Sequence, residues 1–238
     1  GQLQIHVTTE RGFFPIKDAS IRLSYTGNPT EIIEELSTDI SGQTAAVELP
    51  APPLEYSMEP SEFQPYSEYT IQVNASGYRP INISGISVLP DKTSIQNVRM
   101  ETATVENPLE RNIVITANTL YGNFPPKIPE DEIKPMTESG EIVLSRVVIP
   151  EYVIVHDGPP SDSSANDYYV RYRDYIKNVA SSEIYATWPD AALRANILAI
   201  MSFTLNRVYT EWYRNKGYDF TITSSTAFDH KFVYGRAV

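Results

Sequence analysis

The stretch NVASSEIYATWPDAALRANI, residues 178 to 197, contains the residue best suited to chemistry in this chain. Glu183 ends one run of helically spaced apolar residues and stands a few positions before Trp188-Pro189, which opens another. A carboxyl group at such a corner either acts as a catalytic acid or only belongs to the turn between two helices. A glutamate in this position more often caps a helix or faces solvent, so the local sequence leaves both roles open.

Other kinds of site have less support from the residue types. The chain has no cysteine, and His6, His156 and His230 are far apart, without a metal-binding spacing such as HExxH. Ser181 and Ser182 lack a local base and a nucleophile elbow. Phosphate-binding glycine motifs are also missing from the sequence. We therefore expect no metal and no cofactor.

The net charge limits the class of partner. The 238 residues carry a formal charge of -11, which disfavours nucleic acid or an anionic membrane surface, because a polyphosphate needs lysine and arginine to neutralise it. No apolar run approaches the roughly 18 residues that a membrane span requires. The amino-terminal GQLQIHVTTERG lacks the apolar core of a signal peptide.

Two different patterns surround Glu183 along the chain. Residues 1–100 alternate apolar and polar positions in about seven short strands, which is typical of an antiparallel β-sandwich. Residues 101–148 are rich in Pro, Asp, Asn and Ser and predict an extended connector with short strands. Residues 149–238 predict a second domain that begins with a buried strand and continues with helices. The fold class expected is therefore a mixed, two-domain protein.

Two helices should hold Glu183. Helical spacing relates Tyr172, then Tyr175 or Ile176, then Val179 and Glu183, so Glu183 should lie on or beside the buried face of the first helix. Residues 187–190, TWPD, match a capping box that would start the second helix. Its apolar stripe continues to the Gly217 stop, which predicts a long helix of about 27 residues. The stripe comprises Leu193, Ile197, Ile200, Thr204, Val208 and Trp212.

The first 100 residues resemble a known module. The segments PIKDASIRL, STDISGQTAAVELP and YTIQVNASGYRP are similar to the strands and turns of the transthyretin-like, carboxypeptidase regulatory-like sandwich. Such modules bind, space or chaperone more often than they catalyse, so this resemblance assigns no chemistry.

The last 70 residues or so resemble the SpoIID-type peptidoglycan-cleaving domain, an α+β domain. The resemblance lies in YIKNVASSEIYATWPDAALRANI with its long helix, in GYD at 217–219 and in the final VYGR. The matched positions include Tyr175, Ile176, Val179, Glu183, Ile184, Trp188, Pro189, Ala192, Leu193, Ala195, Ala199, Gly217, Tyr218 and Asp219. The family continues beyond the point that VYGR matches, so the resemblance implies a partial, truncated domain.

The resemblance implies an activity and a catalytic residue. SpoIID-type domains are lytic transglycosylases that cleave the MurNAc-GlcNAc bond of glycan strands and form a 1,6-anhydro ring, which a single carboxyl group can catalyse as acid and then base. The family's catalytic glutamate corresponds to Glu183. We expect burial to raise its pKa, against a smaller opposite effect from the second helix dipole. Candidates for sugar contacts are Tyr185, Trp188, Tyr218 and Asp219.

The order of the modules also resembles that of known proteins, and one segment differs from the SpoIID pattern. A sandwich, a connector and this domain in sequence are similar to SleC-like spore cortex-lytic proteins, which implies a spore or cell envelope location, a peptidoglycan partner and a maturation protease that cuts between about 101 and 167. Where SpoIID proteins often have a zinc-binding His-Cys pair, this chain has SSTAFDHKFVYGR, with His230 nearby but alone.

The alternative to a lytic transglycosylase is a non-catalytic glycan-binding protein, in which the SpoIID-like part is a degenerate scaffold.

Overall fold

The computed structural model describes residues 1–106, 109–118, 120, 123–128 and 146–238. Within them the chain divides into two compact units. The first comprises Gly1–Asn118, Tyr185–Trp188 and Tyr234–Val238, and the second comprises Thr119–Ile184 and Pro189–Val233. The predicted domain boundaries at residues 100 and 148 stay a prediction, and the units are described separately.

The first unit contains eight of the named strands in two sheets. Their bounds are β1 Gln2–Thr9, β2 Ser20–Tyr25, β3 Asn28–Ser37, β4 Val47–Glu48, β5 Ser67–Asn74, β6 Ile81–Val88, β7 Thr93–Met100 and β8 Arg111–Val114. One sheet has the order β4-β1-β7 and the other β3-β2-β5-β6-β8. A short helix, α1, spans Glu55–Met58. The alternating residues supply the core, as in Ile5 and Val7 of β1 and Ile71 and Val73 of β5, all fully buried.

The sandwich is not wholly antiparallel, and in this respect the prediction is wrong. β1 and β7 run parallel, as do β6 and β8. Between β1 and β7 the chain builds most of the second sheet, so it returns to the first sheet in its original direction. β3, the strand NPTEIIEELS, was not expected because almost all of its residues are exposed and show no alternation of burial.

One glycine explains how β6 changes the phase of its alternation. Ile81 and Ile83 alternate in one phase and Ile86 and Val88 in the other, yet all four lie buried in β6. Between them Gly85 has φ +83, and a Cβ at this position would meet the Ile115 carbonyl. A residue without a side chain is therefore required where the strand changes phase.

Two later segments of the chain complete the first unit. Ile95 and Val238 exchange two backbone hydrogen bonds, of 2.7 and 3.0 Å, and the Gln96 amide donates to the Gly235 carbonyl across 2.9 Å. The Arg111 guanidinium donates to the Tyr234 hydroxyl across 2.8 Å. The other segment is Tyr185–Trp188, whose Trp188 indole N–H donates to the Ser57 carbonyl across 2.8 Å.

The second unit contains a small sheet and two helices. Its strands are β9 Tyr152–His156, β10 Asp167–Arg171 and β11 Ile222–Thr223, in the order β10-β9-β11. The helices are α2 Tyr172–Glu183 and α3 Asp190–Tyr209, followed by a 3-10 turn at Arg214–Lys216. The run GEIVLSRVVIP at 140–150 has a strand-like sequence. Part of it lies outside the described residues, and the described part, 146–150, has no strand. Among the described residues, none of the helices combines the length and apolar composition that crossing a membrane needs.

The second helix, α3, is shorter than the sequence predicts. It has 20 residues and ends at Tyr209, because Glu211 adopts φ 44. The Glu211 N–H donates to the Val208 carbonyl and the Trp212 N–H to the Arg207 carbonyl, which is the Schellman pattern with glutamate in place of glycine. Gly217, with φ 86, ends the following 3-10 turn instead.

The start of α3 and its stripe also differ from the prediction. The N-cap is Pro189, and the Thr187 hydroxyl makes no capping bond. That hydroxyl is buried without a hydrogen-bond partner within the described part of the chain. Of the apolar stripe within α3, Ile200 and Thr204 are buried, whereas Leu193, Ile197 and Val208 are only partly covered.

Candidate active site

Glu183 is the last residue of α2, on the side that faces the interior of the second unit. Tyr175, Ile176 and Val179 of this helix are buried, and Glu183 follows Val179 by four positions, so it shares their face. The helix ends here because Ile184 is extended, while its N–H still bonds to the Ala180 carbonyl. The carboxyl group is therefore half-buried at a fixed helix end, as the sequence predicts.

Asn196 of α3 is the hydrogen-bond partner of this carboxyl group. Its side-chain N–H donates to Oε2 of Glu183 across 3.0 Å. The other amide atom, Oδ1, is buried and has no hydrogen-bond partner among the residues described. Asn196 could not be identified from the sequence, because nothing in an amphipathic helix pattern distinguishes one half-buried asparagine from a neutral surface residue.

A pocket of about 370 Å³ opens at Glu183 within the second unit. Apolar walls come from Phe124 and Phe203, and basic groups come from Lys127 and Lys231. The full lining comprises Leu120, Phe124, Lys127, Ser182, Glu183, Phe203, Thr226, Asp229, His230 and Lys231. Apolar surface with a few convergent polar groups is the usual composition of a small-ligand site.

Burial raises the pKa of Glu183 above its ordinary value, while the Asn196 hydrogen bond and the charge of Lys127 act in the opposite direction. Removing a carboxylate from water costs free energy, so the protonated form is favoured. A carboxyl group tuned in this way can donate a proton at higher pH than a solvated glutamate could.

Asp229, one of the residues that line the pocket, belongs to a buried ion pair. Asp229 is 2% exposed, and its Oδ1 accepts from Nε of Arg207, itself 3% exposed, across 2.8 Å. Its Oδ2 accepts from the Tyr213 hydroxyl at 2.6 Å and from the N–H and hydroxyl of Thr223 at 2.9 and 2.7 Å. Both charges are thus satisfied, which a pair this deeply buried needs.

Two of the predicted sugar-contact residues lie in this unit but outside the pocket lining. The Tyr218 ring packs near Tyr213 and Phe220, with ring centroids 6.1 and 5.0 Å away, and it is partly buried. Asp219 is exposed. Neither side chain is among the described residues that line the pocket of Glu183. Their role in glycan binding stays a prediction.

The other two predicted contacts, Tyr185 and Trp188, belong to the first unit. Tyr185 is 5% exposed, and the Trp188 indole is held by the Ser57 carbonyl. The buried phenol and the bonded indole have structural functions in that unit, and their contact with glycan stays a prediction. Concerning metals, no group of three or more His, Asp or Glu side chains comes together within the described ranges.

The part of the chain that contains Glu183 matches a family. Residues 165–236 match the model of SpoIID, described as stage II sporulation protein. The match supports a SpoIID-type domain in this part of the chain. The matched range includes α2, α3 and the pocket residues Asp229 and His230. A SpoIID-type domain points to a cell-wall function connected with sporulation. No curated protein gave a significant match to the chain.

Solved structures resemble only part of the chain. The Bacillus anthracis TIE protein aligns at 16% identity and a TM-score of 0.30, over 43% of this chain and 16% of its own. The 5-hydroxyisourate hydrolase of Klebsiella pneumoniae aligns at 12% identity and a TM-score of 0.29, over 44% of this chain and 93% of its own. A minor pilin of Streptococcus agalactiae has the same identity and TM-score, over 44% and 45%.

Proposed function

We propose that the second unit is a peptidoglycan lytic transglycosylase in which Glu183 is the acid and base. The observation that supports this best is the position of Glu183, which lies within the SpoIID match at residues 165–236. It is a half-buried carboxyl group with a raised pKa, and it lines a pocket together with Phe124 and Phe203. The substrate would be a glycan strand of spore cortex or vegetative wall. The location would accordingly be the spore or cell envelope.

The proposed reaction needs one proton donor and no external nucleophile. The Glu183 carboxyl group would protonate the oxygen that leaves with the GlcNAc residue, while the bond from that oxygen to C1 of the MurNAc residue breaks. The C6 hydroxyl of the same MurNAc would attack C1 and close the 1,6-anhydro ring. The hydroxyl proton would then return to the carboxylate, so the enzyme is regenerated without water.

Asn196 and the pocket walls would support this cycle. The Asn196 amide holds Oε2, which orients the carboxyl group and stabilises the ionised form that exists after proton donation. Phe124 and Phe203 offer flat apolar surface on which the sugar ring could pack. The alternative function, a glycan-binding protein without catalysis, would use the same walls but would not need a raised pKa at Glu183.

The test is product analysis after incubation of the full chain with purified cortex or vegetative peptidoglycan. We expect mass spectrometry to find anhydro-muramic ends with wild type and with Glu151→Gln, an exposed control in the same unit. Glu183→Gln should reduce product at least about 100-fold, the usual effect of losing a general acid. Equal product from Glu183→Gln and wild type would refute the assignment. Sedimentation with peptidoglycan but no product from wild type would favour the binding alternative.

The processing proposal is separate from the catalytic one. A protease that cuts between about 101 and 167, as in the SleC-like comparison, would act on a range in which residues 107–108, 119, 121–122 and 129–145 lie outside the described residues. Limited proteolysis followed by mass spectrometry of the fragments tests this proposal. Cleavage that occurs only outside this range would contradict it.

A further inference from the structure

A histidine shares the pocket with Glu183. His230 lines the same cavity of about 370 Å³. Its ring lies 4.6 Å from the Phe203 ring, measured between centroids, and its Nδ1 lies 3.4 Å from the Tyr175 hydroxyl. Imidazole is the side chain most often used to accept a proton from a reacting hydroxyl group. The cavity therefore contains a second group that could handle a proton.

The residue that precedes His230, Asp229, is held in place by the buried ion pair described above. Asp229 accepts hydrogen bonds from Arg207, Tyr213 and Thr223, and the Asp229 N–H donates to the Ser225 carbonyl across 2.7 Å. The chain is thus fixed at Asp229, immediately before His230. A group fixed in this way needs little reorganisation during a reaction.

The charges around His230 come from three elements. Arg207 approaches from α3, Lys127 from the segment 123–128, and Asp229 precedes His230 in the chain, while Tyr175 of α2 contributes a neutral hydroxyl. Burial lowers the pKa of His230 to about 4, helped by Lys127 and Arg207 and opposed by Asp229. The pKa of Glu183 moves upward. Environments that separate the pKa values of two groups in one site are typical of an acid and a base.

We propose that His230 is a second catalytic residue of this pocket, the base that accepts the proton of the attacking hydroxyl group. This inference rests on the proposed function and keeps Glu183 as the acid, but it assigns to His230 the acceptance of the C6 hydroxyl proton that the single-carboxyl scheme gives to Glu183. As Glu183 gives its proton to the leaving oxygen and the C1–O bond breaks, the C6 oxygen bonds to C1 and its proton moves to Nε2 of His230. The imidazolium then passes that proton to the Glu183 carboxylate, which restores both groups.

This division of roles requires one tautomer. Nδ1–H of His230 must donate to the Tyr175 oxygen, which leaves Nε2 as the acceptor for the substrate proton. The directions of the two pKa shifts favour the last transfer, because burial raises the pKa of Glu183 and lowers that of His230. With His230 as the base, the Glu183 carboxyl group would not have to move from the leaving oxygen to the C6 hydroxyl group during the reaction.

The pH dependence of kcat/KM for release of anhydro-muramic ends from peptidoglycan tests the inference. With Glu183 alone, activity should fall only as pH rises. With His230 as base, activity should also fall as pH drops through about 4, because imidazolium accepts no proton. His230→Gln should lower kcat/KM roughly 100-fold at neutral pH and remove the acidic limb. His6→Gln, in the first unit, is the matched control and should behave as wild type.

Each result bears on a specific claim. An acidic limb in wild type, with the same midpoint as the NMR titration of the His230 ring, supports the inference even if His230→Gln folds poorly. Active wild type without an acidic limb, or His230→Gln with undiminished kcat/KM, overturns the inference and leaves the role of Glu183 intact. Wild type that gives no anhydro product, although it is folded, overturns the proposed function and this inference together.

Discussion

Asn196 of α3 donates a hydrogen bond across 3.0 Å to Oε2 of Glu183, the last residue of α2. The donor stabilises the carboxylate and lowers the pKa of Glu183 against the larger effect of burial. Asn196→Ala should therefore raise that pKa further, and the decline of activity at alkaline pH should move to higher pH. The pH profile of anhydro product release measures this. Asn206→Ala, an exposed position of the same helix, should leave the profile unchanged.

Lys127 lies near both titrating groups of the pocket. Its charge lowers the pKa of Glu183 and that of His230, and its ammonium group donates to the Asp229 carbonyl across 2.6 Å. Lys127→Met should raise both pKa values, so both limbs of the pH profile should move in the alkaline direction. Lys177→Met, exposed on α2, is the control. Movement of the two limbs in opposite directions would contradict the proposed surroundings of the pocket.

The lowered pKa of His230 predicts acid sensitivity of the fold. Between pH 6.5, the ordinary value, and about 4, the unfolded histidine binds a proton that the folded one does not, so the free energy of unfolding falls as pH drops through this window. The full shift corresponds to roughly 3 kcal/mol. His230→Gln should lose this dependence in urea unfolding followed from about pH 7 to 4. The raised pKa of Glu183 contributes a pH dependence of the opposite sign to the free energy of unfolding. Because wild type and His230→Gln both contain Glu183, this contribution cancels when the two are compared. If the unfolding free energy of His230→Gln still falls as pH drops through this window, another group causes the acid sensitivity.

Removal of one charge of the Arg207–Asp229 ion pair should destabilise the fold far more than removal of both charges together. Arg207→Met leaves a buried carboxylate without its cation, which typically costs about 3 to 5 kcal/mol. Asp229→Asn leaves the guanidinium unpaired with a similar penalty. The double variant should be less destabilised than the sum of the single ones, as a double-mutant cycle of denaturant unfolding would reveal. Additive values would mean that the two charges do not stabilise each other.

Trp188→Phe distinguishes a structural role of the indole from glycan binding. Loss of the N–H that bonds to the Ser57 carbonyl should cost about 1 kcal/mol of unfolding free energy. If the ring also contacts glycan, sedimentation with peptidoglycan should weaken as well. A variant that is less stable but binds glycan normally would remove Trp188 from the sugar contacts.

The sequence predicted the helix that ends at Glu183 and the alternating core of the sandwich, because both depend on periodic burial within a short segment. It predicted the position of Glu183 correctly for the same reason: four positions after Val179 is the same helix face. The end of α3 was predicted wrongly, since the apolar stripe continues past Tyr209 while the backbone turns at Glu211. Glutamate with positive φ is uncommon, so the pattern gave no stop there.

The rest of the pocket could not be predicted because it depends on contacts between distant parts of the chain. Lys127 and His230 are about a hundred residues apart in the sequence, yet both line the cavity of Glu183. His230 was treated as an isolated histidine because no neighbouring residue suggested a partner. Its environment comes from Tyr175 and Phe203, on two different helices, and no local pattern reports such a meeting.

The first unit is built from three separate pieces of chain, Gly1–Asn118, Tyr185–Trp188 and Tyr234–Val238. No single break in the backbone can therefore detach it from the rest of the molecule. If a protease cut the connector, the amino-terminal fragment would still hold the other through the bonds of Ile95 with Val238 and of Ser57 with Trp188. Such a nicked protein should give two bands under denaturing conditions and one particle in gel filtration. Covalent cleavage and physical release would then be two separate events.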